Sequence, residues 1–475
     1  MAATDQHMND RPADPIAALR QAAAGLDLPV DRWRGAEPAS VTDFASDRRL
    51  CSEFWHLSHD IIARLPPKPA RTAEQAKAAE LVHERARRAR GRFLEAHVGE
   101  LYASLTHNLS QFLRVEELVH TAAELCPGLT PTREQVLREE ALFQRDKEGH
   151  EIDQGIFLSH VLGDEAAGRH LCHAMLLPRI DVSEHLSRFA TEGKLDLGPI
   201  MLSRQGKAIH LVMNNPRYLN AEDQTTIDAM ETAVDIATLD PTTEIAVLRG
   251  GLVEHPKYAG KRILGSGINL THLYRGKIPY LWYMQRELGF VHKFFRGVAR
   301  REALPDDVHG HGIEKPWIAA VESFAIGGHC QILLTMDYVI AADDAYMTLP
   351  ARKEGIIPGA SNMRLPRFTG DRIARQAIQY GRRLDCDSAE GRLICDEIVP
   401  AGEMDEAVGR VVEGLTSSGA VGAIGNRQAF RVAQEPLDML RRYCAVYARE
   451  QAHCHFSPAL IGNLEQYWDA QNRKG

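Results

Sequence analysis

The chain has 475 residues, and its 56 lysine and arginine against 64 aspartate and glutamate side chains leave a formal net charge of −8. With 44% hydrophobic and 25% charged residues, the composition is that of a globular protein and excludes a disordered, collagen-like or coiled-coil chain. The acidic balance disfavours a nucleic-acid partner. The longest apolar run of the second half, residues 332–342, is far shorter than the roughly 20 residues that span a bilayer, so no membrane partner is expected.

The start of the chain and its cysteines bear on location. Residues 1–15 are polar and lack the apolar core of an export signal, so a cytoplasmic protein is expected. The eight cysteines include no Cys-x-x-Cys pair, which disfavours both a zinc knuckle and a disulfide framework. We therefore predict that the cysteines are buried and behave as small hydrophobic residues.

The first part of the chain has the pattern of helices. Thr72 followed by Gln75 forms a capping box. Apolar residues then repeat at helical spacing from Leu94 to Leu105, which predicts one long helix that begins near Thr72. A helical N-terminal domain is predicted over residues 1–195.

Beyond residue 200, short apolar runs alternate with helical patterns, which is typical of β-α-β units. Strands are predicted over 207–214, 244–250, 315–324 and 337–342, and Asn220 is predicted to cap a helix that ends near Leu239. The predicted fold class is therefore α/β, with a core domain over 196–400. Helical patterns return from residue 371, including 427–451 and 458–468, and they predict a helical C-terminal cap over 401–475.

Common nucleotide-binding and hydrolase motifs do not match. Residues 264–270 would need glycine at the last position of a dinucleotide fingerprint, where the chain has Leu270. Gly260-Lys261 lacks the first glycine of a phosphate-binding loop, because His255 occupies that position. No Gly-x-Ser-x-Gly elbow occurs, so a serine hydrolase has no local support.

The segment 315–370 is the most informative part of the sequence. An apolar strand leads into Gly327-Gly328, which is predicted to start a helix that runs to about Met336. The N–H groups at a helix start have no acceptor within the helix, and glycine lets a ligand approach the backbone. Such a turn could hold a developing negative oxygen, and a plain tight turn is the alternative.

Segments 262–270, 315–331 and 355–360 occur in this order, after 215–221. This set resembles the crotonase (enoyl-CoA hydratase/isomerase) superfamily over roughly residues 200–400. The resemblance implies a spiral of ββα units that binds an acyl-CoA substrate and polarises the thioester carbonyl with two backbone N–H groups, here those of Ile268 and Gly328. Candidates for binding the CoA phosphates, with plain surface charge as the alternative, are Arg262, Lys257 and Lys261.

The chain departs from the hydratases of this superfamily at two positions. Those enzymes carry a glutamate at each of the positions that hold Gln331 and Ala351 here. An amide and a methyl group cannot exchange a proton near neutral pH, so addition of water is not expected. Gln331 lies one helical turn after Gly328 and could bond a substrate hydroxyl. An apolar oxygen pocket, with ordinary core as the alternative, is predicted from Leu270, Ala351, Ile356 and Ile357.

The helical N-terminal extension and an insert over 271–314 add to this pattern. Together they resemble the cofactor-independent oxygenases of the superfamily that act on aryl-acetyl-CoA thioesters in antibiotic biosynthesis. The resemblance implies that 3,5-dihydroxyphenylacetyl-CoA and O₂ yield 3,5-dihydroxyphenylglyoxylate and CoA without a metal or flavin, and that Glu222, Arg286 and Gln331 bind the ring hydroxyls. It also implies a homo-oligomer built from trimers. The proton acceptor stays open between a substrate phenol and a water molecule.

Three other functions compete with this interpretation. A metal oxygenase would need two histidines and a carboxylate, and two groups offer such ligands: His56, His59 and Asp60, and His453, Cys454 and His455. Metal ligation is not expected, because neither group lies in the thioester-binding segment. An acyl-CoA hydrolase or decarboxylase of the same fold is the second alternative, and a non-catalytic CoA-binding scaffold is the third.

Overall fold

The computed structural model describes residues 15–22, 26–39 and 42–473. Up to residue 193 the described chain consists of helices and turns, and nine α-helices lie there. Their bounds are α1 Pro15–Ala22, α2 Val30–Ala36, α3 Phe44–Arg64, α4 Ala73–Leu105, α5 Val115–Leu125, α6 Arg133–Glu139, α7 Ile152–Gly163, α8 Glu165–Leu176 and α9 Val182–Glu192.

The long helix α4 begins where the capping box predicted. The Thr72 hydroxyl accepts a hydrogen bond from the Gln75 N–H at 3.3 Å, and the Gln75 side chain accepts one from the Thr72 N–H at 3.0 Å. Two donors that a helix start leaves without partners are thereby satisfied. Trp55 and Phe93 pack edge to face between α3 and α4, and the prediction of one long helix that begins near Thr72 is confirmed.

Eleven strands follow. Their bounds are β1 Lys194–Asp196, β2 Ile200–Gln205, β3 Ala208–Met213, β4 Ile245–Leu252, β5 Arg262–Ile263, β6 Trp317–Val321, β7 Phe324–Ile326, β8 Tyr338–Ala342, β9 Tyr346–Thr348, β10 Leu384–Asp385 and β11 Glu397–Val399. The main sheet has the order β1-β2-β3-β4-β6-β8-β11, with β5 paired to the end of β4. Pairing is parallel from β3 to β11, and these strands are nearly all apolar because a parallel sheet is covered on both faces.

A second sheet, β10-β9-β7, lies where the chain leaves β6 and β8. The helices between the strands are α10 Gln224–Leu239, α11 Leu270–Tyr274, α12 Leu281–Arg286, α13 His292–Arg296, α14 Gly328–Leu333, α15 Ala351–Glu354 and α16 Ser361–Tyr380. An irregular turn, Glu287–Val291, joins α12 to α13. Helix α14 is shorter than predicted, since it ends at Leu333.

Four helices close the chain: α17 Met404–Thr416, α18 Val421–Gln434, α19 Leu437–His455 and α20 Pro458–Trp468. The helical pattern predicted over 427–451 is divided between α18 and α19, because the chain breaks at Glu435-Pro436. The Glu435 carboxylate is buried there and accepts hydrogen bonds from Arg364 at 2.9 and 2.8 Å. Helix α19 packs on α7, where Gly155 lets the backbones approach: a Cβ there would lie 2.7 Å from the Ala448 carbonyl oxygen.

This mixed α/β architecture, with a helical N-terminal region and C-terminal helices, confirms the predicted fold class. All eight cysteines are free thiols, and seven of them are buried. Across the described residues, no helix is both long and apolar enough to cross a membrane.

Asn220 does not cap α10. Asp223 is the cap, and its carboxylate accepts a hydrogen bond from the Thr225 N–H at 3.0 Å. Asn220 instead adopts a left-handed backbone with φ 55, which asparagine tolerates better than most residues. Its buried amide donates to the carbonyl oxygens of Ile263 at 2.7 Å and Gly251 at 3.2 Å, so it ties the exit of β3 to the β4–β5 pair.

We predict that Asn220→Ala lowers the free energy of unfolding by about 3 kcal/mol, because it leaves two buried carbonyl groups without donors and keeps an unfavourable φ. Urea unfolding followed by circular dichroism measures this. Asn214→Ala is the matched control, since its amide makes an exposed hydrogen bond to Gly198, and it should lose less than about 1 kcal/mol. Equal losses in the two variants would contradict the role given to Asn220.

Candidate active site

Two glycine-containing segments, 265–268 and 325–328, meet side by side. Gly265 and Ala325 form a parallel bridge, and the Ile326 N–H donates to the Gly265 carbonyl oxygen at 3.0 Å. A Cβ on Gly267 would lie 3.3 Å from the Gly327 Cα. Gly327 has φ 55 and ψ −118, a left-handed conformation that a side chain would strain. Glycine is therefore needed for the two backbones to come this close.

The same contact places Ile268 and Gly328 at one cavity. The Glu222 N–H donates to the Gly267 carbonyl oxygen at 2.8 Å, and the Asn269 N–H donates to the Glu222 carbonyl oxygen at 2.7 Å. Because these bonds flank Ile268, the N–H of Ile268 points away from Glu222. Gly328 is the first residue of α14, so its N–H has no acceptor within the helix. Ile268 and Gly328 both line the cavity, and two such donors can stabilise a negative oxygen.

His329 supports this arrangement from behind. Its Nδ1 accepts a hydrogen bond from the Gly267 N–H at 3.2 Å, so the ring proton lies on Nε2. The ring packs against Gly265, where a Cβ would lie 2.1 Å from it. Burial lowers the pKa of His329 to about 4, so the imidazole is neutral near pH 7 and keeps its acceptor nitrogen. Sequence reasoning missed this residue.

A buried charged cluster lies beside Gly328. Arg286 donates from Nε to Glu222 at 2.8 Å, from Nη1 to Glu287 at 2.6 Å and to Gln331 at 2.8 Å, and from Nη2 to the Gly328 carbonyl oxygen at 2.7 Å. Burial alone would lower the pKa of Arg286, but the carboxylates of Glu222 and Glu287 outweigh burial and raise it. We call these four side chains the Arg286 cluster. One guanidinium shared by two carboxylates leaves it with a net negative charge.

The cavity between these groups is narrow, with a volume of about 30 Å³. Seven of the predicted site residues line it: Ile268, Gly328, Arg286, Gln331, Ala351, Ile356 and Ile357. Glu222 lies behind Arg286 and is outside the lining. Leu270 also lies outside it, because Asn269 caps α11 and Leu270 becomes the first residue of that helix. The structure therefore brings together three of the four residues predicted for the oxygen pocket.

The three predicted phosphate-binding residues lie on the segment that leads into Gly265. Lys261 pairs with Asp344 at 3.3 Å, and both side chains are about half exposed. Arg262 lies 4.0 Å from Glu322 and is partly exposed. Lys257 is exposed, with its ammonium 5.2 Å from the centre of the Tyr258 ring. None of the three lines the cavity, so they could contact only the outer part of a bound thioester.

The lining residues that were not predicted include Glu287, Glu354 and Tyr447. Glu287 follows Arg286 directly, and this adjacency was the only local signal for it. Glu354 ends α15, is 5% exposed, and has a pKa that burial raises to about 7. Tyr447 reaches the cavity from α19, almost 100 residues further along the chain, where no sequence pattern marks it.

The histidine groups weighed as metal ligands lie elsewhere. His56 and Asp60 are 4.0 Å apart on the surface of α3, whereas the half-buried His59 packs against His150. His455 packs against Tyr283. Within residues 15–22, 26–39 and 42–473, no group of three or more histidine, cysteine, aspartate and glutamate side chains could hold a metal ion.

We predict that His329→Leu reduces the loss of stability on acidification. In the folded wild type, the pKa of His329 lies near 4, whereas its ordinary value is 6.5. As the pH falls, His329 is therefore protonated in the unfolded chain before it is protonated in the folded one. This contribution to stability is full above pH 6.5 and is lost as pH falls towards 4, on the order of 3 kcal/mol. Other buried histidines cancel when the two proteins are compared.

Urea unfolding at pH 7, 5.5 and 4.5 measures this difference. At pH 7 the His329→Leu variant should be less stable by roughly 1 to 3 kcal/mol, because the buried Gly267 N–H loses its acceptor. His309→Leu, on an exposed loop, is the control and should follow the wild type. Parallel pH curves for wild type and His329→Leu would contradict the neutral, accepting role of this ring.

Comparison with known proteins places the chain in a family. A family model described as Enoyl-CoA hydratase/isomerase matches residues 301–438. The (3,5-dihydroxyphenyl)acetyl-CoA 1,2-dioxygenase of Amycolatopsis orientalis is 44% identical over 419 residues, which is 88% of this chain and 95% of that protein. Carnitinyl-CoA dehydratase of Salmonella typhi is 26% identical over 51% of this chain and 84% of its own.

Among solved structures, an enoyl-CoA hydratase from Mycobacterium avium subsp. paratuberculosis K-10 has 20% identity and a TM-score of 0.45, and covers 56% of this chain and 97% of its own. The sequence resemblance to the superfamily is confirmed by the relative from Amycolatopsis orientalis, which matches almost end to end. The chain is an enzyme, and it belongs to the crotonase (enoyl-CoA hydratase/isomerase) family.

Proposed function

We propose that this protein is a dioxygenase that converts 3,5-dihydroxyphenylacetyl-CoA and O₂ into 3,5-dihydroxyphenylglyoxylate and free CoA, without a metal or flavin. The observation that carries the proposal is the 44% identity to a dioxygenase of that substrate over 95% of its length. The cavity adds physical support, because it combines paired N–H donors with an apolar wall and a buried polar cluster.

The first step is the loss of an α-proton. A C–H bond between a thioester and an aromatic ring is already activated, and its electron pair moves into the thioester oxygen as the enolate forms. Ile268 and Gly328 line one cavity, and their N–H groups would hold that oxygen. Each such donor is worth about 2.7 to 4 kcal/mol in comparable sites.

The Arg286 cluster is suited to neutral hydroxyl groups. Arg286 already donates hydrogen bonds to Glu222, Glu287, Gln331 and the Gly328 carbonyl oxygen. The remaining lone pairs of the Glu287 carboxylate and the amide of Gln331 face the cavity, so they would accept from and donate to phenolic hydroxyls. Glu222 would then act by holding Arg286 in place, rather than by touching the ring.

The oxygen step follows from the enolate. The carbanion gives one electron to O₂, and recombination at the α-carbon gives a peroxide. Attack of the peroxide on the thioester carbonyl expels CoA, and loss of the second α-proton breaks the O–O bond. Both oxygen atoms then lie in the product. Ala351, Ile356 and Ile357 form an apolar wall that would hold O₂ and exclude water.

Lys257, Lys261 and Arg262 are proposed to bind the CoA phosphates from the surface segment before Gly265. Lys261 and Arg262 would exchange Asp344 and Glu322 for phosphate oxygens, which are comparable ionic partners. The homo-oligomer built from trimers and the cytoplasmic location stay predictions.

We predict one O₂ consumed per CoA released when the purified enzyme, treated with chelator and checked by elemental analysis, meets 3,5-dihydroxyphenylacetyl-CoA. An oxygen electrode, a thiol assay and mass spectrometry under ¹⁸O₂ measure this, and two labelled atoms should enter the glyoxylate. CoA release without O₂ uptake would indicate a hydrolase, and loss of CO₂ a decarboxylase. Binding of the thioester without turnover would indicate a scaffold. Loss of activity when the chelator removes a metal would indicate a metal oxygenase.

We predict that Ala351→Val raises the KM for O₂ several-fold, because added methyl groups occupy a cavity of only about 30 Å³. O₂-dependent turnover at saturating thioester measures this. Leu270→Val is the matched control, since Leu270 lies outside the cavity lining, and its KM for O₂ should stay at the wild-type value. An equal rise in both variants would contradict the assignment of the oxygen pocket.

A further inference from the structure

We infer that the carboxylate of Glu354 is the base that removes the α-proton of the bound thioester. This inference deepens the proposed function and rests on it, since it names the residue that starts the reaction. Neither Gln331 nor Ala351 can accept that proton, so the enzyme needs another acceptor, which a substrate phenol or water would otherwise supply.

The position of Glu354 supports this role. Helix α15 has only four residues, and positions three apart lie on one face, so Glu354 shares a face with Ala351. Both residues line the cavity that Ile268 and Gly328 line. A carboxylate from α15 and the two N–H donors therefore bound the same small space, as removal of a proton next to a polarised carbonyl requires.

The Glu354 side chain is buried without a polar partner among the described residues. It is 5% exposed, and within the described part of the chain its carboxyl group has neither an ion pair nor a hydrogen bond. Burying an ionisable group without a partner is costly, so such groups are rare unless they function. This isolation separates Glu354 from Glu222 and Glu287, which are both bound to Arg286.

The C-terminal helices hold α15 in place. Gly355, with φ +77, ends the helix directly after Glu354. From α20, the Asn463 side-chain amide donates to the Arg352 carbonyl oxygen at 3.4 Å. From α19, Gln451 accepts a hydrogen bond from the Ile357 N–H at 2.9 Å. The short helix is thus supported from behind, which fixes the carboxyl group at the cavity wall.

The surroundings set the basicity of Glu354. Arg286, the cation in the cavity lining, is occupied by Glu222 and Glu287, and Gln331 is neutral. Burial raises the pKa of Tyr283 and Tyr447, so both phenols stay neutral near pH 7. Behind Tyr283, burial lowers the pKa of His455, which is neutral too.

Burial raises the pKa of Glu354 to about 7, and no neighbouring cation among the described residues opposes that shift. A base works best when its pKa lies near the working pH. In the step itself, the α-C–H bond breaks, its electron pair moves to the thioester oxygen held by the two N–H groups, and the proton passes to the Glu354 carboxylate.

Proton exchange without O₂ tests this step alone. Enzyme and 3,5-dihydroxyphenylacetyl-CoA are mixed under argon in D₂O, and ¹H NMR follows the loss of the α-CH₂ signal. Glu354→Gln, which keeps the shape of the side chain, should slow exchange and O₂ uptake by about 100-fold or more. Its Kd for the thioester, measured by calorimetry under argon, should stay within about two-fold of the wild type. Glu465→Gln, on α20 and outside the cavity, should match the wild type throughout.

The pH profile adds a readout that a structural role would not give. Wild-type exchange should rise with pH to a midpoint near 7 and then level, because the base must be ionised. Glu354→Gln should lose that midpoint. A wild-type profile without a midpoint near 7, or exchange and O₂ uptake in Glu354→Gln within about three-fold of the wild type, would overturn the inference.

Failure of the proposed function looks different. A wild-type enzyme that exchanges the α-proton and loses exchange in Glu354→Gln, but consumes no O₂ when air is admitted, would refute the dioxygenase and leave Glu354 as the base. If the wild type consumed O₂ normally and Glu354→Gln did so too, the dioxygenase would stand and Glu354 would be excluded.

Discussion

The close approach of two main-chain segments, 265–268 and 325–328, is the constraint on which the site depends. Each glycine in this contact leaves room for a different neighbour. Gly265 makes space for the His329 ring, Gly267 meets the backbone of Gly327, and Gly328 faces Glu222 and Arg286. A side chain at any of these positions would clash with the group that the glycine accommodates. The geometry of the site therefore depends on the absence of side chains at these three glycines as much as on the side chains around them.

The Arg286 cluster is the second requirement of the site. The free energy needed to bury its charged side chains explains why they are bonded so completely to one another. Three charged side chains out of water are stable only when nearly every donor and acceptor is paired. Arg286 meets that condition by bonding to Glu222 before α10, Glu287 in the irregular turn and Gln331 on α14. It also bonds to the carbonyl oxygen of Gly328. The polar wall of the cavity and the turn that presents a backbone donor are thus parts of one hydrogen-bonded unit.

Much of the fold and of the candidate site could be predicted from the sequence, and the predictions that failed did so for physical reasons. Periodicity and a capping box predicted α4, and alternating apolar runs predicted the parallel strands, because these signals are local. The segments around Ile268 and Gly328 were identified because they occur in the same order as in the crotonase superfamily. Asn220 was misassigned because the same side chain can cap a helix or fill a left-handed turn. Leu270 lies outside the cavity lining, where the cap at Asn269 makes it the first residue of α11, and no sequence signal distinguished the two positions.

The C-terminal helices contribute Tyr447 and Gln451 to the cavity wall and its support, far along the chain from Gly328. During synthesis on the ribosome, the core strands emerge well before α19 does. Without α19, the cavity lacks the wall that Tyr447 forms and the support that Gln451 gives to Ile357. A growing chain thus cannot complete the cavity until α19 has been made, which couples the onset of activity to the final stage of folding.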